Sequence, residues 1–110
     1  MLYSEAMREI PERDWKYLAG VKGELLEALC RRINERARRI AADRSSGEHD
    51  TFLRLYSYIV EQDGVVADCF DDWRRSNAMD KLFRLRRHGL LTDEHLSRLS
   101  AGTRGKLGPG

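Results

Sequence analysis

Asp68, Asp71 and Asp72 stand at positions i, i+3 and i+4. On a helix that spacing brings three carboxylates together, and paired carboxylates are oxygen ligands suited to Mg²⁺. These three are the candidate metal residues, and a Mg-dependent hydrolase is the chemistry they would serve. The competing role is ion pairing, because Asp71 and Arg75 are themselves an i,i+4 pair. His49, His88 and His95 form no H-x-x-x-H and share no zinc spacing with a cysteine, so all three are expected at the surface. Cys30 and Cys69 are far apart in sequence and lie on or beside apolar faces, which reads as reduced, unreactive thiols. The chain has no phosphate-binding glycine loop and no G-x-S-x-G elbow. No cofactor and no catalytic residue is assigned.

Arginine is the other chemical signal. The chain holds 16 Arg against 4 Lys. Arg31, Arg38 and Arg39 fall on one predicted helix, and Arg74, Arg75, Arg84 and Arg87 on or near another. Guanidinium groups bind phosphates bidentately, and a clustered patch is the footprint of nucleic-acid binding. Charge is segregated along the chain: residues 31–47 carry +4, residues 48–73 carry −6 and residues 74–88 carry +5. Basic helices packed beside an acidic one would satisfy each other along their rims instead.

The elements that must position these residues are helical. Ile10-Pro11 marks a helix start, with Glu12 and Asp14 where the helix dipole favours acids and a stop near Gly20. A second helix is predicted over about residues 22–43. Leu25, Leu26, Leu29, Cys30, Ile33, Ala37, Ile40 and Ala41 share one arc of it, interrupted by Arg36, and Glu27–Arg31 and Glu35–Arg39 support the exposed face. A third begins near His49 or Asp50. Phe52, Leu53, Leu55, Tyr56, Ile59 and Val60 make one stripe, and Val66, Ala67, Phe70 and Trp73 keep its phase through Gly64. One helix to about Arg75 is therefore expected, since a helical glycine costs only about 1 kcal/mol. Arg36 and Asp63 would both point inward on this drawing, and buried charges must pair.

Asn77 with Asp80 has the form of a capping box and opens the next helix, which Gly89 ends, with Leu90 placed for the accompanying apolar contact. Thr92 caps a last short helix in which Leu96 and Leu99 face inward. Ser4 would cap a short turn through Arg8. Strand signals are nearly absent. The expected fold is an all-α single-domain bundle of four to five helices over residues 1–100, with residues 101–110 a flexible, glycine-rich tail.

At 110 residues the chain is sized for one domain. Its 35% charged content serves mainly the solvated sides of amphipathic helices, and 20 Lys+Arg against 18 Asp+Glu leave a net +2. No run of 18 apolar residues spans a membrane and no secretory signal opens the sequence, so a cytoplasmic setting is expected.

Three resemblances add to this. Glu24-x-x-Glu27 with Asp68-x-x-Asp71 is similar to the paired acidic steps of all-helical nucleotide pyrophosphohydrolases, although the separation is longer and the second step lacks its Glu. Residues 80–99, with Gly89-Leu90-Leu91-Thr92-x-Glu94, resemble the SHOCT-type C-terminal helical hairpin of bacterial proteins, which implies interaction rather than catalysis. Glu12-Arg13-Asp14-Trp15-Lys16 and Phe70-Asp71-Asp72-Trp73-Arg74-Arg75-Ser76 resemble stretches of small uncharacterised bacterial helical proteins and imply no site. The favoured function is a non-catalytic helical protein acting through protein–protein contacts, including self-association, with Trp15, Tyr17, Tyr58 and Trp73 as aromatic anchors. The alternatives are nucleic-acid binding through the arginine faces and the Mg-dependent hydrolase.

Overall fold

In the computed structural model, which describes residues 10–109, the chain is all helix, with no strand among the described residues. Helix α1 runs Glu12–Ala42, α2 Glu48–Phe70, α3 Ala78–Arg87, α4 Asp93–Ser97 and α5 Ala101–Leu107, with a 3₁₀ turn over Arg75–Asn77 before α3. No helix of the described residues is long and apolar enough to cross a membrane. The Ser4 turn lies outside the described residues.

Helix α1 is one 31-residue element and does not stop at Gly20. Gly20 and Gly23 sit on its exposed side, while Leu18, Leu25 and Leu29 remain on one buried face across them. Burying each leucine contributes roughly 1.5–3 kcal/mol, more than the ~1 kcal/mol a helical glycine costs. Pro11 occupies the N-cap rather than the first helical position. The turn that follows is tied by Asp43, whose Oδ1 accepts from the Ser45 amide and hydroxyl and whose carbonyl accepts from Thr51 Oγ1 at 2.8 Å. Gly47 supplies the left-handed φ of 98° that starts α2.

Helix α2 passes through Gly64 unbroken, as expected, but ends at Phe70, short of Arg75. Asp71 turns extended and Asp72 takes φ 56°, a conformation that Asp tolerates and that Arg74 and Asn77 fix by hydrogen-bonding its oxygens. Asn77 is thereby engaged elsewhere, and the expected Asn77–Asp80 capping box does not form. The end of α3 follows its sequence signal closely. Gly89 adopts φ 70°, its N–H reaches Arg86 O at 2.9 Å, and Leu90 N–H reaches Leu85 O at 2.9 Å, a Schellman motif with Leu90 buried.

The segment expected to be a flexible tail is instead helix α5, with Thr103 and Leu107 buried. Leu99, Thr103 and Leu107 recur every four residues and turn one face inward. Asp14, fully buried on α1, accepts from the Ser100 N–H at 2.9 Å, the Ser100 hydroxyl at 2.6 Å and the Thr103 hydroxyl at 2.5 Å. Burial alone would raise this carboxyl's pKa, but those hydrogen bonds outweigh it and hold the group below its ordinary value. Arg86 closes the other end of α5 on the Leu107 and Gly108 carbonyls.

The core is concentrated at one end. Leu18, Leu25 and Leu29 of α1 and Cys69 and Phe70 of α2 belong to one buried cluster with Met79, Leu82 and Leu85 of α3, Leu90 and Leu99. Trp73 stacks on Phe70 with ring centroids 5.7 Å apart and meets Trp15 at 6.3 Å. The molecule is 54 × 30 × 23 Å with a radius of gyration of 17.2 Å. A compact chain of this length would have about 13 Å. The excess comes from a two-helix arm: beyond Ile33 on α1 no residue of the helix is buried, nor is any on α2 between residues 52 and 68.

Candidate interaction surface

The arm exists because only two helices reach it. Its shared seam is narrow, with Leu55, Tyr58, Ala37, Ile40 and Ala41 half-buried along it. Two helices cannot enclose apolar side chains that cover more than one flank. Helix α2 carries such a surplus. Phe52 is 60% exposed, Tyr56 62%, Ile59 43%, Val60 54% and Leu53 45%. Their spacing of four, three and one residues lays them along one side, and the Phe52 and Tyr56 rings stack at 6.4 Å. The third-helix stripe thus splits: Leu55 turns to the seam and the rest faces water. The expected anchors Trp15, Tyr17, Tyr58 and Trp73 are half-buried against the core cluster. Tyr56 and Phe52 are the exposed aromatics of the arm, and their stripe was legible while its exposure was not.

Arg36 and Asp63, expected to pair inside, are both exposed and have no ion pair. The arc that looked like core at these positions lies on the arm, where no third helix arrives to bury it. The charges buried among the described residues are Asp14, whose partners are two hydroxyls and an amide with Arg13 at 3.7 Å, and Lys81, which donates to the Asp68 carbonyl at 3.0 Å.

Among the candidate arginines, Arg31 and Arg39 are exposed on the arm without ion pairs. Arg38 pairs with Glu35 at 2.9 Å, so the neighbour three residues back replaces the expected Glu35–Arg39 pairing. Arg74 holds Asp72 at 2.7 Å. Arg75 donates to the Ile10 carbonyl at 3.2 Å and lies 3.8 Å from Glu12, leaving Asp71 without it. Arg84 bridges Asp80 at 2.8 Å and Asp68, and Arg87 reaches Asp68 at 3.2 Å. Carboxylates therefore sit among the arginines of the head.

The three aspartates do not gather. Asp68 faces α3, Asp72 is turned away by its backbone, and Asp71 is the exposed residue that ends α2. The one group of three metal-ligand atoms among the described residues is Asp68, Cys69 and His88, all within 4.8 Å. Its carboxylate is already held by Arg84 and Arg87, which makes it an ion-pair hub locking α2 to α3. Burial, then Arg87 and Arg32, keeps the His88 pKa below its ordinary value. Burial pushes the Cys69 thiol up, partly offset by Lys81 and Arg87. Cys30 and Cys69 are both free.

His88 and His95 are not simple surface residues. His88 is half-buried, and His95 is buried within a capping box. The Thr92 amide donates to His95 Nδ1 at 2.9 Å, which assigns the ring proton to Nε2 and its 2.9 Å bond to Glu24. Nε2 thus holds α4 to α1 through Glu24 while Nδ1 closes the cap on Thr92, so neither ring nitrogen is free in the shallow cleft beside them, lined by Tyr17, Glu24, Glu94 and Arg98. No family model, no curated protein and no solved structure matched this chain.

Proposed function

We propose that this is a non-catalytic helical protein that acts through protein–protein contacts, with the arm as its contact surface and a second copy of the chain as its partner. The observation that carries the reading is the exposed apolar stripe of Phe52, Leu53, Tyr56, Ile59 and Val60 on α2. At these exposures the five side chains leave on the order of 500 Å² of apolar surface in water. A standard interface takes about 800 Å² from each partner, so the stripe with its polar rim supplies a dimer-sized face. A second arm would also supply the two helices that the first lacks for a four-helix bundle. The reading includes a reducing, cytosolic setting, in which Cys30 and Cys69 remain thiols.

The test is light scattering on the wild-type chain and on a Phe52→Ser/Tyr56→Ser variant. The expected result is twice the 12.8 kDa chain mass for the wild type and a single-chain mass for the variant, with unchanged helical circular dichroism. Equal masses for both proteins would overturn the reading.

A further inference from the structure

The arm carries enough asymmetry to say how a second copy would lie on it; the inference rests on the self-association proposed above. Two lines of side chains are on the same face of the arm. On α1, Arg32 donates to the His88 and Gly89 carbonyls at 2.7 and 3.2 Å, which marks the flank turned to α3. At 100° per residue, Cys30, Asn34, Ala37 and Ala41 lie toward the opposite flank, a line of short side chains in which Asn34 is exposed and the other three are half-buried at the edge of the seam. On α2, Asp68 marks the flank turned to α3 through Arg84 and Arg87, and Phe52, Tyr56 and Ile59 lie well away from it. Large and small lines therefore share the face that α3 does not cover. The turn at 43–47 pairs the helices so that residues 52, 56 and 59 stand about level with residues 38, 34 and 31.

Charge separates the possible arrangements. Arg31 on α1 and Asp63 on α2 are exposed and have no ion pair. They stand within about one helical turn of each other along the arm axis. Helix α2 and its flanks are net acidic and the outer half of α1 is net basic. Copies stacked with their heads at opposite ends lay α2 on the partner's α2, acid on acid. Copies stacked with heads at the same end, about a two-fold axis along the arm, lay α2 on the partner's α1. That second stack sets large residues over small ones and brings Asp63, which is level with Glu27, within about one helical turn of the partner's Arg31.

We infer that two copies pair with their heads at the same end, α2 of each seated on α1 of the other, with Phe52, Tyr56 and Ile59 over the line Cys30, Asn34, Ala37 and Ala41.

A spin label at Ser46→Cys in a Cys30→Ala background reports the arrangement, because Ser46 is at the arm tip and the remaining Cys69 is buried. Heads at the same end bring the two tips together, and the pulsed-resonance distance is then below about 20 Å. Heads at opposite ends put the tips roughly the length of α2 apart, about 35 Å. The short distance supports the inference, and the long one overturns it while leaving self-association intact. A single-chain mass for the unlabelled wild type, read in parallel, overturns the underlying reading itself. A charge exchange gives a second readout that keeps the fold. Arg31→Glu and Asp63→Lys alone each weaken association roughly three- to tenfold, and the double exchange restores it. Singles that associate like the wild type would contradict the arrangement even if the dimer forms.

Discussion

The head and the arm are built from the same two helices, and they differ in what covers them. In the head, α3 to α5 close over α1 and α2, and Leu18, Leu25, Leu29, Leu82 and Leu85 lose essentially all contact with water. In the arm the same helices continue with the same amphipathic phase, yet Phe52, Tyr56 and Val60 stay more than half exposed. The amphipathic pattern measures how much burial a helix can supply. Chain topology decides whether that burial takes place within one copy.

Substitutions can break this contrast, and the largest effect belongs to the head. Leu82→Ala removes a fully buried side chain and is expected to cost about 2–5 kcal/mol, read as a lower denaturant midpoint. Phe52→Ala, a larger truncation, is expected to leave the unfolding free energy of the isolated chain within about 0.5 kcal/mol, because water already reaches the ring. Equal costs at the two sites would erase the distinction between the regions.

The next effect probes the polar latch that holds α5. Asp14→Asn loses a charged acceptor for three hydrogen bonds and is expected to cost roughly 2 kcal/mol. Amide exchange should accelerate across residues 101–107 while the arm tip is unaffected. The latch also sets a pH dependence. The Asp14 pKa is lowered by folding, so its stabilisation is present above the unfolded value of 3.8 and is lost as pH falls through the folded value. His88, also lowered, adds a loss of stability that begins as pH falls below its ordinary 6.5. Thermal melts from pH 7 downward should therefore show falling stability in two stages, and Asp14→Asn should flatten the lower one. The smallest of the non-zero effects is a gain: Gly20→Ala and Gly23→Ala each add about 0.5–1 kcal/mol, since a Cβ at either position meets nothing within 4 Å.

How far the sequence carried these distinctions depended on the range of the signal. Local signals were legible: the Gly89–Leu90 helix end, the Thr92 cap and the passage of α2 through Gly64 all formed as their residues imply. Signals that depend on distant partners were not. Asp14 meets Ser100 and Thr103 more than 85 residues away, and nothing in the 101–110 stretch announces that docking. Asn77 is a good capping residue by type, but a turn at Asp72 claims it first. The same limit hid the candidate surface. The stripe from Phe52 to Val60 was visible as a stripe, whereas its exposure follows from where α3 to α5 end up.

The proposed role of the arm is to be the surface through which two copies meet. Sedimentation equilibrium of the wild-type chain over a wide range of loading concentrations tests it most directly. The expected mass rises with concentration from the 12.8 kDa of one chain toward twice that value and no further. A mass that stays at one chain at every concentration would contradict it.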